Sequence, residues 1–250
     1  MSLDKISKQR IDQMLVDRGL AESRARAQAL IMAGLVFAGE HKVAKAGDRF
    51  PQDVVLDVRG KDHPWVSRGG IKLAHGLAHF GWDITGAVVI DVGASTGGFT
   101  DVALHSGAAK VYAVDVGHGQ LAWKLRQDPR VVVLEKTNAR ALDATLIPEP
   151  VDLIVCDASF IGLRTVLPAA LALAKPQARL LALIKPQFEA GPADVGKGGV
   201  VRDPEVHARV CAEVEGWINS QPGWAALGIT QSPITGPEGN VEFLLAAVRA

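Results

Sequence analysis

The stretch VIDVGASTGGFTD, residues 89–101, runs from apolar residues through an acid, Asp91, into a loop that carries Gly93, Gly97 and Gly98. A strand, a glycine loop and a helix in this order form a site for a nucleotide-type ligand. The loop itself narrows the ligand class. A dinucleotide fingerprint needs glycine at the third position of G-x-G-x-x-G, where this chain has Ser95. A phosphate loop needs lysine after its second glycine; Gly93 and Gly98 have that spacing, but Phe99 follows. Asp91 would also repel a phosphate. A second acid, Asp115, ends the next apolar run, 24 residues beyond Asp91. Two acids suit a cationic ligand with ribose hydroxyls. S-adenosylmethionine carries a sulfonium, an ammonium and a ribose, and no phosphate. Asp115 is expected to accept hydrogen bonds from the ribose hydroxyls. Gly93, Ser95, Thr96, Gly97, Gly98 and Phe99 are expected to hold the methionine portion, with the glycines avoiding Cβ clashes. Asp91 either faces the ligand or orients the loop through backbone N–H groups.

Four more polar residues stand at the ends of elements. Lys72 lies in the first turns of a helix in SRGGIKLAHGL, Asp157 ends the apolar run in LIVCDASF, Lys185 ends LLALIK before Pro186, and Glu242 opens the run in GNVEFLLAAV. Asp157 and Lys185 each follow a buried-type strand, so both belong on the ligand side of a sheet.

The elements that must position these groups alternate. AVVIDVG, KVYAVDVG, RVVVLEK, VDLIVCD and RLLALIK read as strands, separated by helices in GGFTDVALHSGA, GQLAWKLRQ, GLRTVLPAALALA and PEVHARVCAEVEGWINS; AALGITQSP and VEFLLAAVR read as closing strands. Continuous apolar strands between helices predict an α/β fold: a Rossmann-like, mostly parallel sheet with helices on both faces. This domain is expected to span residues 67–250, after a polar linker at 61–66 within RGKDHPW. Residues 1–60 predict a small α+β domain. It has one helix in QRIDQMLVDRGLA with Ile11, Met14, Leu15 and Val16 near one side, and a second from the N-cap Ser23 to Gly34 with Ala27, Leu30 and Ile31 inward. A hairpin around Gly39–Glu40 and a strand in DVVLDV follow.

The 250 residues carry no net charge, but residues 1–72 hold 13 Lys and Arg against 9 Asp and Glu, so the head is basic and the body acidic. A basic head suits a polyanion. Two cysteines form no disulfide framework and suggest a reducing, cytoplasmic setting. The charged first thirty residues give no signal peptide, and no run reaches the ~20 apolar residues that span a membrane.

The head motifs R-x-D-x-x-L-V-x-x-G-L-A, S-R-x-x-A and I-x-x-G-x-V, preceded by a basic residue, resemble the S4-type RNA-binding domain. The resemblance implies RNA contacts at Lys8, Arg10, Ser23, Arg24, Arg26 and Lys42. From residue 67 the chain resembles the FtsJ-like ribose 2′-O-methyltransferases, whose Lys–Asp–Lys–Glu tetrad falls on Lys72, Asp157, Lys185 and Glu242. Together the motifs SRGGIKL, DVGASTGGFTD, DASFIGL and KPQFEAG…VGKGGVVRDP resemble the TlyA family, described both as rRNA cytidine 2′-O-methyltransferases and as haemolysins. The resemblance implies S-adenosylmethionine as cofactor, no metal, and ribosomal RNA or ribosomal subunits as partner. Lys185 would bind or deprotonate the ribose hydroxyl. As a base it must enter neutral, which burial and Lys72 favour and the two acids oppose, so a base role and an electrostatic role both stay open. Asp157 would orient Lys185, while Lys72 and Glu242 hold the ribose. Arg68 and the loop GPADVGKGGVVRD would touch RNA, the loop ordering when substrate binds.

Four rival readings remain. Base-amine methylation usually accompanies a proline-containing motif where this chain has Asp157-Ala-Ser-Phe160. Carbon-5 methylation needs a cysteine nucleophile, and strand alternation turns Cys156 away from the side of Asp157. A haemolysin-type pore needs a spanning or strongly amphipathic element, which the pattern lacks, and a purely RNA-binding protein would not need the tetrad.

Overall fold

The computed structural model describes residues 8–58 and 63–250. The chain divides into two compact units, Met1–Ser67 and Arg68–Ala250. The first part of the expected linker, residues 61 and 62, lies outside the described residues.

The first unit opens with a short strand β1 (Lys8–Arg10), then helices α1 (Ile11–Asp17) and α2 (Arg24–Met32). The strands β2 (Val36–Ala38), β3 (His41–Lys42), β4 (Arg49–Pro51) and β5 (Leu56–Val58) follow. β2 and β3 turn at Gly39–Glu40, as expected, and β2 also pairs with β5. The β1–β4 pairing was not legible in the sequence, because each partner is three residues long and neither alternates. The core is Ile11, Met14, Leu15, Ala27, Leu30, Ile31 and Val36, so the 3.6-residue pattern placed both helix faces correctly. Ser23 caps α2 by accepting a hydrogen bond from the Arg26 N–H at 3.2 Å.

The second unit begins with α3 (Gly69–His79). It continues through β6 (Val88–Val92), α4 (Gly98–His105), β7 (Lys110–Val114), α5 (Trp123–Arg126), β8 (Val131–Leu134) and β9 (Val151–Cys156). Then come α6 (Leu163–Val166), α7 (Pro168–Ala172), β10 (Ala174–Ile184), α8 (Pro186–Glu189), α9 (Pro204–Asn219), β11 (Trp224–Gln231) and β12 (Phe243–Arg249). The seven strands lie in the order β11-β12-β10-β9-β6-β7-β8. The five from β6 to β10 are parallel, and β12 runs against its neighbours β10 and β11. The centre is fully buried on both faces, with Ile90, Ile154, Leu180 and Ile184 at 0% exposure, which is why these strands read as unbroken apolar runs.

Two helix expectations need correction. GLRTVLPAALALA is split into α6 and α7 at Pro168, which has no N–H to continue the ladder. GQLAWKLRQ forms only the single turn of α5, since Gly119 takes a left-handed φ of 69° and Ala122 is extended.

Candidate active site

The site lies beyond the carboxyl ends of β6, β7, β9 and β10, where a parallel sheet presents loops rather than helices. α3 packs directly on β10: a Cβ on Gly76 would lie 2.6 Å from a methyl of Leu181. That close approach brings Lys72, one turn earlier on the same helix face, over the ends of β9 and β10. Glu242 arrives from the other direction, immediately before β12, whose antiparallel register with β10 sets Phe243 opposite Ile184.

The four tetrad residues meet. Lys72 Nζ lies 2.6 Å from Glu242 Oε2 and 3.8 Å from Asp157 Oδ2, and Lys185 Nζ lies 2.7 Å from Asp157 Oδ1. Lys72 and Lys185 are 7% exposed and Glu242 2%. Two cations and two anions thus form one neutral cluster, buried except at Asp157, whose side chain is 19% exposed. Burying charges costs several kcal/mol per ion before pairing repays it. A fold of this class needs no such cluster for stability, so the cost points to chemistry. Lys185 also donates to the Asp157 carbonyl at 3.3 Å and to Ser159 Oγ at 2.8 Å. The Asp157 carboxylate completes a set of three oxygens around Nζ as an ion pair, its Oδ1 making no hydrogen bond.

A cavity of about 380 Å³ opens beside this cluster. Its walls include Gly93 and Ser95 after β6, Asp115 after β7, Asn138, and Asp157 with Phe160 after β9. A ligand lying across the end of β6 therefore reaches from Asp115 to the tetrad. The size is that of a small-molecule pocket. Asp115 is fixed by its own loops: Oδ2 accepts from Ser95 N–H at 2.8 Å and Oδ1 from Gly117 N–H at 2.7 Å. Each carboxylate oxygen keeps a second lone pair for a ribose hydroxyl. An anion-rich cavity without a lysine from its glycine loop fits S-adenosylmethionine and not a phosphate ligand.

Two of the glycines also have a structural role. Gly93 has φ of 82°, and a Cβ there would sit 2.9 Å from the Ala158 backbone. Gly97 has φ of 93°, and its Cβ would meet Leu125 and Leu121 side chains at 2.3 and 2.8 Å. Both thus serve protein–protein approach: Gly93 lets the β6 loop press on the β9 loop, and Gly97 lets α4 start against the α5 segment. Thr96, Gly98, Phe99 and Asp91 are absent from the cavity wall. Phe99 is 3% exposed and packs in the core, and Thr96 accepts the Ala122 N–H through its carbonyl.

Asp91 is wholly buried; its Oδ2 accepts the Thr100 hydroxyl at 2.6 Å, while Oδ1 has no partner. Burial pushes its carboxyl up to about 7; the Thr100 bond opposes this and the Asp157 and Asp115 charges add to it. Between the ordinary aspartate range and about 7 the folded chain therefore holds a proton that the unfolded chain has released. Stability falls as pH rises through that window and levels off above it. The melting temperature of Asp91→Asn is expected to gain on that of the wild type between about pH 5 and about pH 8. Thermal melts of both proteins at the two pH values check this, and a constant difference would refute it.

In the first unit, Arg10 and Arg24 both reach Asp12 Oδ2, at 2.8 and 2.9 Å, and Asp12 is fully buried. The Arg10 hydrogen bond holds the Asp12 carboxyl well below its usual range. The two guanidiniums remain about half exposed. Asp12 thus gathers two of the expected RNA contacts at the start of α2, beside Ser23 and Arg26. Cations in the first turn of a helix oppose its dipole, so an incoming anion would be favoured there. Lys8 and Lys42 are exposed on β1 and β3, and Arg68 is partly exposed before α3. Ser159, Asn138 and Asn240 were missed from the sequence. Ser159 had a signal, two residues past the strand-end Asp157; the two asparagines lie in loops without a pattern.

Cys156 is fully buried with its thiol pushed up to about 12 by burial, and Cys211 is raised to about 11. Neither offers the thiolate that carbon-5 methylation needs. Among the described residues no helix is long and apolar enough to cross a membrane.

Comparisons with known proteins agree with this geometry. The FtsJ-like methyltransferase family matches residues 65–249, and the S4 domain matches residues 9–54. The 16S/23S rRNA (cytidine-2′-O)-methyltransferase TlyA of Mycobacterium tuberculosis is 48% identical over 237 residues, covering 94% of this chain and 88% of that protein. Hemolysin A of Brachyspira hyodysenteriae is 38% identical over 236 residues, covering 94% of this chain and 98% of its own. The solved structure of a Streptococcus thermophilus protein, provisionally named a hemolysin, superposes with a TM-score of 0.78 at 39% identity, covering 98% of this chain and 90% of that one.

Proposed function

The chain belongs to the FtsJ-like methyltransferases, in the TlyA family that adds an S4 domain, and on that premise we propose that it methylates a ribose 2′ hydroxyl of a cytidine in ribosomal RNA. It is an S-adenosylmethionine-dependent enzyme. Its setting in this reading is the cytoplasm, where ribosomal subunits are found. The observation that carries the reading is the buried Lys72–Glu242 and Asp157–Lys185 cluster at the tetrad end of the cavity.

S-adenosylmethionine, when bound, supplies an electrophilic methyl on a sulfonium. Asp115 would hold its ribose, with Gly93, Ser95 and Asn138 lining the same pocket. The chain's residues then have three tasks. Lys185 takes the 2′ oxygen in the place Ser159 Oγ holds in the free enzyme, 2.8 Å from Nζ. As an ammonium it stabilises negative charge developing on that oxygen. The proton passes to Asp157, the carboxylate beside it, as the oxygen attacks the methyl, so the charge that develops on the oxygen is the negative one the ammonium stabilises. Lys72, held by Glu242, keeps Asp157 in place. Positioning for in-line attack supplies much of the remaining rate. The S4 domain would grip the RNA through Lys8, Arg10, Ser23, Arg24, Arg26 and Lys42, with Arg68 and residues 191–203 adding contacts from the second unit. The division into residues 1–60, a linker at 61–66 and a catalytic domain from 67 belongs to the same reading.

The test uses purified protein, tritiated S-adenosylmethionine and ribosomal RNA or subunits lacking the modification. Label that blocks alkaline cleavage of the adjacent linkage is on a 2′ oxygen and supports the reading. Label on a base, or none on any rRNA form, overturns it. The single-turnover rate is expected to stay level from about pH 7 to about pH 9. A rate climbing about tenfold per pH unit there would make neutral Lys185 the base.

A further inference from the structure

Asn240 is 1% exposed and outside the tetrad, yet both ends of its amide are used. Oδ1 accepts the Val201 N–H at 3.0 Å, and Nδ2 donates to the Gly199 carbonyl at 2.9 Å. The two partners lie in the glycine-rich loop. That loop was expected to order on substrate binding; in the free chain it is already folded into a tight turn. Gly196 and Val200 form an isolated antiparallel bridge, Gly199 N–H reaches Gly196 O at 3.1 Å, and Gly198 and Gly199 take φ of 79° and 74°. Lys197 is exposed at the tip and Arg202 is exposed just after it; neither is paired with a carboxylate among the described residues.

The other side of Asn240 leads to the tetrad. Its carbonyl accepts Gly236 N–H at 2.9 Å, and Gly236 lies so close to Glu242 that a Cβ would be 2.8 Å from Oε1. The Glu242 carbonyl accepts Ser232 N–H at 2.8 Å. Asn240 and Glu242 are two residues apart and both buried. Val241 and Phe243 line a separate cleft against α9.

We propose that Asn240 is a positioning residue that clamps the Lys197 turn to the segment carrying Glu242, so that RNA held by Lys197 is presented to the tetrad in register. This rests on the reading that the chain acts on ribosomal RNA. Loss of Asn240 strands the buried Val201 N–H and releases the carbonyl of the exposed Gly199.

The full-length protein tests this in two arms with Asn240→Ala and Asn240→Asp. In the first, limited trypsin digestion without substrate reads cleavage after Lys197 and Arg202 against cleavage elsewhere. Cleavage in the turn is expected to rise at least about tenfold in Asn240→Ala, other sites being unchanged. Asn240→Asp keeps the acceptor for Val201 but loses the donor to Gly199, so it should fall between. In the second, KM for unmodified rRNA is expected to rise about tenfold with S-adenosylmethionine affinity unchanged. Unchanged cleavage in the turn, a parallel rise at every site, or a loosened turn with normal KM for rRNA each overturns the proposal. The first arm needs no substrate. A wild type that is inactive on rRNA while the first arm succeeds would refute the rRNA reading and leave the clamp.

Discussion

Lys185→Met lowers single-turnover methyl transfer by about a hundredfold to a thousandfold, the usual cost of removing one donor aimed at developing charge, while S-adenosylmethionine affinity stays near that of the wild type. The separation follows from the geometry. Lys185 does not line the cavity that Asp115 and Asn138 wall; it touches Asp157 and Ser159. Methionine keeps the length of the buried stem and removes the charge, so packing against β10 is preserved. Asp157 then loses its nearer cation and keeps Lys72 at 3.8 Å. Equilibrium binding of the cofactor beside single-turnover transfer to unmodified rRNA decides the matter. Equal loss in both would mean that Lys185 shapes the cavity and does not act on the hydroxyl. An Lys185→Arg variant keeps the charge but not the compact donor, and its planar guanidinium does not fit three convergent oxygens. It is expected to be closer to methionine than to wild type.

The second large effect is on stability. Lys72 and Glu242 are separated by 170 residues and meet at 2.6 Å with almost no exposure. Breaking such a pair from one side leaves an uncompensated buried charge and costs roughly 3–5 kcal/mol. The two sides are unequal. Lys72→Met leaves Glu242 with no cation, whereas Glu242→Gln leaves Lys72 with Asp157 still at 3.8 Å. Lys72→Met should therefore be the worse of the two, with a melting temperature lowered by roughly 10 °C. The double variant Lys72→Met with Glu242→Leu removes both charges at once. It is expected to recover most of the lost stability, since replacing a buried pair by apolar groups is often neutral. It should recover no activity. Thermal melts and methyl transfer on the single and double variants form the cycle. A double variant no more stable than either single one would mean that the pair is not coupled. One that regained activity would remove the pair from the mechanism.

The element types were legible from the chain because they depend on local pattern. Unbroken apolar runs such as VDLIVC can be buried only in the middle of a parallel sheet, and the failed phosphate motifs around Gly93 and Phe99 narrowed the ligand before any fold was known. The strand-end position of Asp115 and Asp157 placed them on the ligand side, and the cavity between them agrees. The tetrad was nameable only through family resemblance, since no local rule links Lys72 to Glu242.

Other features depended on tertiary structure for a common reason: they are contacts between residues distant in sequence, whose side chains carry no periodic signal. Gly93 read as a ligand-facing glycine and does line the cavity, but the approach of Ala158 gives it a second, structural role. Asp12 had no reading until Arg10 and Arg24 converged on it. Asn240 had no reading at all, because an amide reveals its worth only when the groups it satisfies are buried around it. The sequence by itself determined the order of strands and helices and the chemical class of the cofactor loop, through short-range pattern and residue chemistry. Only the packing of α3 on β10 and the antiparallel return of β12 decided that two lysines and two acids would share one site, because that proximity is a property of the assembled sheet and of no single segment.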